Sequence, residues 1–175
     1  MIVFRWRLVV HGCIDGFSRL PIYLVCCDNN LSTTVMKIFH DKLAIYGLPK
    51  HVRCDLGGEN VKVAEYMLLK RGCQTRPVIT GRSVHNQRIE RLWRDVFNGC
   101  LSRFHTLFYR IENNEFFAFD INNELDICCL KYFFLQIIND CLEQWREAWI
   151  HHKLRTTRKT PLEMYADGLK DVRKY

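Results

Sequence analysis

Two acids stand where their surroundings suit chemistry. Asp55 follows the short predicted strand His51–Cys54 and precedes LGGEN, whose Gly57 and Gly58 would let a bulky ligand approach the backbone. Glu90 is the single acid between Lys70 and Arg94, a stretch that also carries Lys70, Arg71, Arg76, Arg82, Arg88, Arg91 and Arg94. Carboxylates from two different elements, set in cationic surface, are the parts of a divalent-metal phosphoryl-transfer site: hard oxygens hold Mg²⁺ or Mn²⁺, and arginines hold phosphates. Each acid taken singly also has a bland account. Asp55 could be a turn former, and Glu90 could be one half of an ion pair on a solvated helix face, worth a few tenths of a kcal/mol.

The elements that must position these acids are legible from apolar spacing and turn chemistry. Phe4–Ile14 and Leu20–Cys27 read as strands, reversed through Asp15-Gly16-Phe17-Ser18-Arg19 into a hairpin. Ser32 and Thr33 are N-cap candidates for a helix with apolar positions at Val35, Ile38, Phe39, Leu43 and Tyr46, closed by Gly47 with Pro49 beyond. The strand His51–Cys54 delivers Asp55, and Val61, Ala64, Met67 and Leu68 mark a helix that runs up to Gly72. After a short strand at Pro77–Thr80, a sustained three-and-four spacing from Ile89 to Phe108 predicts one long helix with Glu90 in its opening turn. An acidic, asparagine-rich loop over Glu112–Asp126 leads into a second long helix, Leu125–Trp149, which could serve as core or as an oligomer surface. A basic, turn-rich segment follows, and Thr160-Pro161 can start a last short helix. With no internal repeat, low-complexity tract or linker, the expected organisation is one α/β domain over residues 1–175.

Composition bounds the partners. The 175 residues are 48% hydrophobic and 13% aromatic, which excludes disorder as the main state. Formal charge is +7 with a pI near 9.0, a field that favours a polyanion or an anionic surface. No apolar run approaches the roughly 18–20 residues a membrane span needs, and MIVFRWRLVVHG alternates arginines with apolar residues as a strand does, not as a signal peptide does. A nuclear or cytoplasmic place, without secretion, is expected. Nine cysteines, two pairs of them adjacent and none in a CxxC spacing, read as reduced thiols, and the seven histidines show no zinc-ligand spacing.

The runs HGCIDGFSRLPIYL, VRCDLGGENV, GRSVHNQRIERLWRDVF and RTTRKTPLEMY together resemble the integrase catalytic core of retroviruses and related transposable elements, most closely the integrase-core-domain proteins of animal genomes. The resemblance covers about Phe4 to Tyr165. It implies a ribonuclease-H-like mixed sheet of five strands flanked by helices, and an Asp, Asp, Glu triad holding two Mg²⁺ or Mn²⁺ ions that cut and join DNA strands. Asp55 matches the second aspartate and Glu90 the glutamate, 35 positions apart. Asn86, Gln87 and Arg88, with Arg82 and Arg91, would face DNA. The family's first aspartate stands on a strand ahead of the segment matching FRWRLVVHG. The sheet is therefore expected to lack that strand and the triad its first member, with Asp15 a turn residue and not a substitute. Two functions stay open: an integrase- or transposase-like core whose strand transfer is impaired, or a non-catalytic module of the same fold that binds nucleic acid or protein.

Overall fold

Trp6 decides how the chain begins. The structure is a computed structural model that describes residues 2–3, 5–81 and 87–172. In it the Trp6 indole is fully buried, edge-on to His105, Phe108 and Tyr109 with ring centroids 6.0, 5.3 and 4.9 Å away. Reaching that pocket takes a turn through residues 5–7, with Arg7 in the left-handed region at φ 59°. Burying a large aromatic outweighs the strand preference of its neighbours. The continuous strand expected over Phe4–Ile14 is thus replaced by β1 (Ile2–Val3) and β2 (Val9–Ile14), paired antiparallel as Ile2 with Val10 and Val3 with Val9.

β3 (Pro21–Cys27) pairs antiparallel with β2, Val10 opposite Cys26 and Gly12 opposite Leu24, with a slip between Cys13 and Ile14. Asp15 builds the reversal between them. Its Oδ2 accepts from the Ser18 amide at 2.7 Å, the Ser18 hydroxyl at 2.7 Å and the Phe17 amide at 3.1 Å. The outer edge of β3 is closed by a side chain from α5 (Glu124–Ile150): Asn139 accepts from the Cys26 amide at 2.8 Å and donates to its carbonyl at 3.0 Å. One amide side chain therefore reproduces a rung of strand pairing where no strand follows.

The long helix expected from Ile89 to Phe108 is present as α3 (Gln87–Val96), a widened turn over Phe97–Leu101 and α4 (Ser102–Glu112). Leu92, Trp93, Val96, Cys100, Leu101, Phe104 and Phe108 form its buried stripe. The widened turn holds Gly99 against Trp145 so closely that an added Cβ would stand 2.5 Å from the indole nitrogen. The last helix, α6 (Pro161–Val172), starts with a capping box: Glu163 accepts from the Thr160 amide at 2.8 Å, and the Thr160 hydroxyl accepts from the Glu163 amide at 3.1 Å.

Residues 29–90 form a second compact unit, separate from the one made by residues 1–28 and 91–175. It holds α1 (Ser32–Tyr46), β4 (Val52–Cys54), α2 (Val61–Arg71) and β5 (Val78–Thr80), with β4 and β5 parallel, around Val35, Phe39, Val63 and Met67. Gly47 and Gly72 end α1 and α2 at φ 75° and 77°, where a β-carbon would be strained. The start of α1 differs from expectation. Ser32 is its first helical residue, and neither it nor Thr33 caps; Asn29 Oδ1 instead accepts from the Leu31 amide at 3.1 Å and the Thr34 hydroxyl at 2.7 Å. The architecture is mixed α/β. Among the described residues five strands lie in two small sheets, β1-β2-β3 in one compact unit and β4-β5 in the other, where one mixed sheet lacking the family's first strand was expected.

Candidate functional site

Asp55 leaves β4 at its carboxyl end, the position from which parallel strands present functional side chains. A single tight turn, Gly58–Asn60, then leads into α2 and brings two more polar residues back toward it. Asn60 Nδ2 donates to Asp55 Oδ1 at 2.8 Å and to Glu59 Oε1 at 3.3 Å, so one amide bridges two half-buried carboxylates. Gly57 makes room for this arrangement: a β-carbon there would run into the Glu59 carboxylate. The pair concentrates negative potential. Burial pushes the neighbouring Cys54 thiol above its ordinary value, and the charges of Asp55 and then Glu59 push it further, so the thiol stays protonated.

Glu59 and Asn60 extend the site beyond what was read from the sequence. Their signal was available, since four and five positions past a strand-end Asp, across two glycines, is within reach of a tight turn. Asp55 and Glu59 offer hard oxygens that fit one Mg²⁺ or Mn²⁺ ion, which takes one or two carboxylates and keeps several waters. They do not fit a pair of ions by themselves, because a two-metal site needs carboxylates bridging and flanking both.

Glu90 is exposed in the first turn of α3, and no hydrogen bond or ion pair ties it among the described residues. Among those residues no three His, Cys, Asp or Glu side chains stand close enough to hold a metal ion. Asp55, Glu59 and Glu90 therefore do not assemble as a three-acid ligand set. Gln87, Arg88, Arg91 and Arg94 are all exposed on α3, while Leu92, Trp93 and Val96 are buried, so amphipathicity keeps its cations in solvent. Arg82 and Asn86 lie outside the described residues. Not every cation of the basic run is available for an anion: Arg71 donates to the carbonyls of Leu48 and Pro49 at 2.6 and 3.2 Å, and Lys70 lies over the Tyr66 ring. Asp15, its Oδ2 taken by three donors, serves the β2–β3 reversal.

Acids stand at the tip of a parallel strand, and an arginine-bearing helix follows later in a mixed α/β chain. A protein-family model described as an integrase core domain matches residues 1–174, and the chain belongs to that family. Comparison with curated proteins and with solved structures returned no match. Family membership makes the general class of function integrase- or transposase-like. No helix among the described residues is long and apolar enough to cross a membrane.

Proposed function

We propose that residues 1–175 are one ribonuclease-H-like integrase core, spanning both compact units, that binds DNA through α3 and derives from metal-dependent strand-transfer enzymes. The strongest support is the carboxylate pair that Asn60 holds at the tip of β4, in a chain matched over residues 1–174 by the integrase core family. Asp55 and Glu90 are the second and third acids of the triad in this reading. Glu59 and Asn60 position Asp55, and Arg82, Asn86, Gln87, Arg88 and Arg91 meet the phosphate backbone. A bound Mg²⁺ or Mn²⁺ would neutralise charge on the phosphodiester and activate the attacking hydroxyl. Asp55 offers the oxygen that Asn60 leaves free, and the arginines of α3 hold the strand against it.

The proposal extends to an assembly of copies through the outer face of α5, where Leu125, Tyr132, Phe133 and Ile137 are exposed, and to action in the nucleus or cytoplasm. A second reading, a non-catalytic DNA- or protein-binding module of this fold, is favoured by one observation: no three acids stand within metal-holding reach among the described residues. Labelled DNA incubated with Mn²⁺ separates the two. Cleavage that vanishes in Asp55→Asn and Glu90→Gln supports the enzyme. DNA binding that weakens steeply with salt and is untouched by Glu90→Gln, without cleavage, supports the binding module; no DNA binding at low salt refutes both DNA readings.

A further inference from the structure

The segment between α5 and α6 presents cations in a way its sequence alone does not require. Leu154 is buried and anchors a closed loop: its amide donates to the Lys159 carbonyl at 2.9 Å, and its carbonyl accepts from the amides of Arg158 at 2.8 Å and Thr157 at 3.3 Å. Closing that loop puts Arg158 in the left-handed region at φ 56°, which a residue with a β-carbon adopts only at a cost. Between this loop and α6 is an open cavity of about 400 Å³, lined by Lys153, Arg158, Lys159 and Lys170 with two acids, Glu163 and Asp167.

Both acids are already engaged. Asp167 pairs with Lys159 at 2.8 Å and with Lys170 at 3.6 Å, and Glu163 caps the Thr160 amide. Lys153 and Arg158 make no ion pair at contact distance among the described residues, although the Lys153 charge helps hold the Glu163 carboxyl below its ordinary value, so the four cations of the cavity outnumber its two acids on a loop braced by its own backbone. The capping box also occupies the start of α6, which leaves the side chains, not the helix end, as the anion-binding groups. A planar guanidinium beside a lysine matches phosphate oxygens better than a lone lysine would.

We propose that this cavity is a phosphate-binding site, separate in sequence from the α3 residues, in which Lys153 and Arg158 grip backbone phosphates of nucleic acid. The choice of nucleic acid over free phosphate rests on the integrase-like reading; the cationic cavity does not.

The test uses the whole chain and its Lys153→Gln/Arg158→Gln variant, checked for unchanged circular dichroism. One measurement is the salt dependence of binding to a 20-base-pair duplex. The other is protection of Lys153 from acetylation, read by mass spectrometry, with the duplex, inorganic pyrophosphate or polyglutamate as probe. Two lost phosphate contacts lower the log–log salt slope by about 1.8, so the affinity lost between about 50 and 200 mM salt shrinks roughly tenfold in the variant. That change, with duplex protecting Lys153, is the expected result. Protection by pyrophosphate and not by duplex keeps the phosphate site and overturns the nucleic-acid source. Protection by polyglutamate alone, or by no probe, overturns the proposal. A duplex that binds both proteins with the same slope and leaves Lys153 reactive removes this site while sparing the function proposed above. A duplex that binds neither protein counts against both.

Discussion

Gly12→Ala probes the seam that seats α3 on the sheet. Gly12 sits in the middle of β2, and a β-carbon built there would stand 2.5 Å from Trp93 Cη2 and 2.9 Å from Leu24 Cδ2. Both neighbours are buried, Trp93 with 6% and Leu24 with 4% of its surface exposed, so neither can swing into solvent. Overpacking of this kind costs about 1–3 kcal/mol. Alanine returns about 0.5–1 kcal/mol by restricting the unfolded chain. A net loss of about 1–2 kcal/mol is expected, a fall in melting temperature of roughly 2–8 °C for a chain this long. Urea unfolding of a double-mutant cycle with Trp93→Phe checks the cause, since the smaller ring withdraws the atom nearest the new methyl. Alanine should then cost less than about 0.5 kcal/mol, a coupling of about 1 kcal/mol. An equal cost in both backgrounds, or a more stable Gly12→Ala protein, would refute the packing argument.

Two further predictions concern the same part of the chain. Asn139→Ala strips the Cys26 amide and carbonyl of their partner on the outer edge of β3, and should lower stability by about 2–4 kcal/mol in urea unfolding, with faster amide exchange at Cys26. The Cys26 thiol itself predicts an alkaline limit. Burial, reinforced by Cys27, Asp28 and Cys100, pushes it from 9.0 up to about 12. The folded chain holds that proton more tightly than the unfolded one, so the thiol's contribution is complete below about pH 9 and is lost as pH rises from about 9 to about 12. The loss is on the order of 4 kcal/mol at most. Cys26→Ala should flatten the stability–pH curve over that window; an identical slope in the two proteins would show that the thiol does not report on folding.

What the sequence disclosed, and what it withheld, divides by the range of the interaction. The ends of α1 and α2 were legible because Gly47 and Gly72 act within one turn of their helices, and the start of α6 because Thr160-Pro161 is itself a local helix-start signal, which the structure completes with Glu163 three positions on. Asp15 was legible as a turn former for the same reason. The start of α1 was misread by a short distance, since Asn29 and Ser32 are equally good side-chain acceptors for backbone amides and nothing local chooses between them; Asn29 accepts from the Leu31 amide and the Thr34 hydroxyl just ahead of the helix. By contrast, the break in the first strand depends on Trp6 meeting rings about a hundred positions away, and the closure of β3 on Asn139, 113 positions from Cys26. No window along the chain contains those partners. The candidate site falls between these cases. Asp55, Glu59 and Asn60 meet through a tight turn and could have been read together from spacing and two glycines. Glu90 gains a role only from the geometry of a whole sheet and helix, so its place in the triad stands on the family pattern, and the cleavage assay on Glu90→Gln is the measurement that turns that pattern into chemistry.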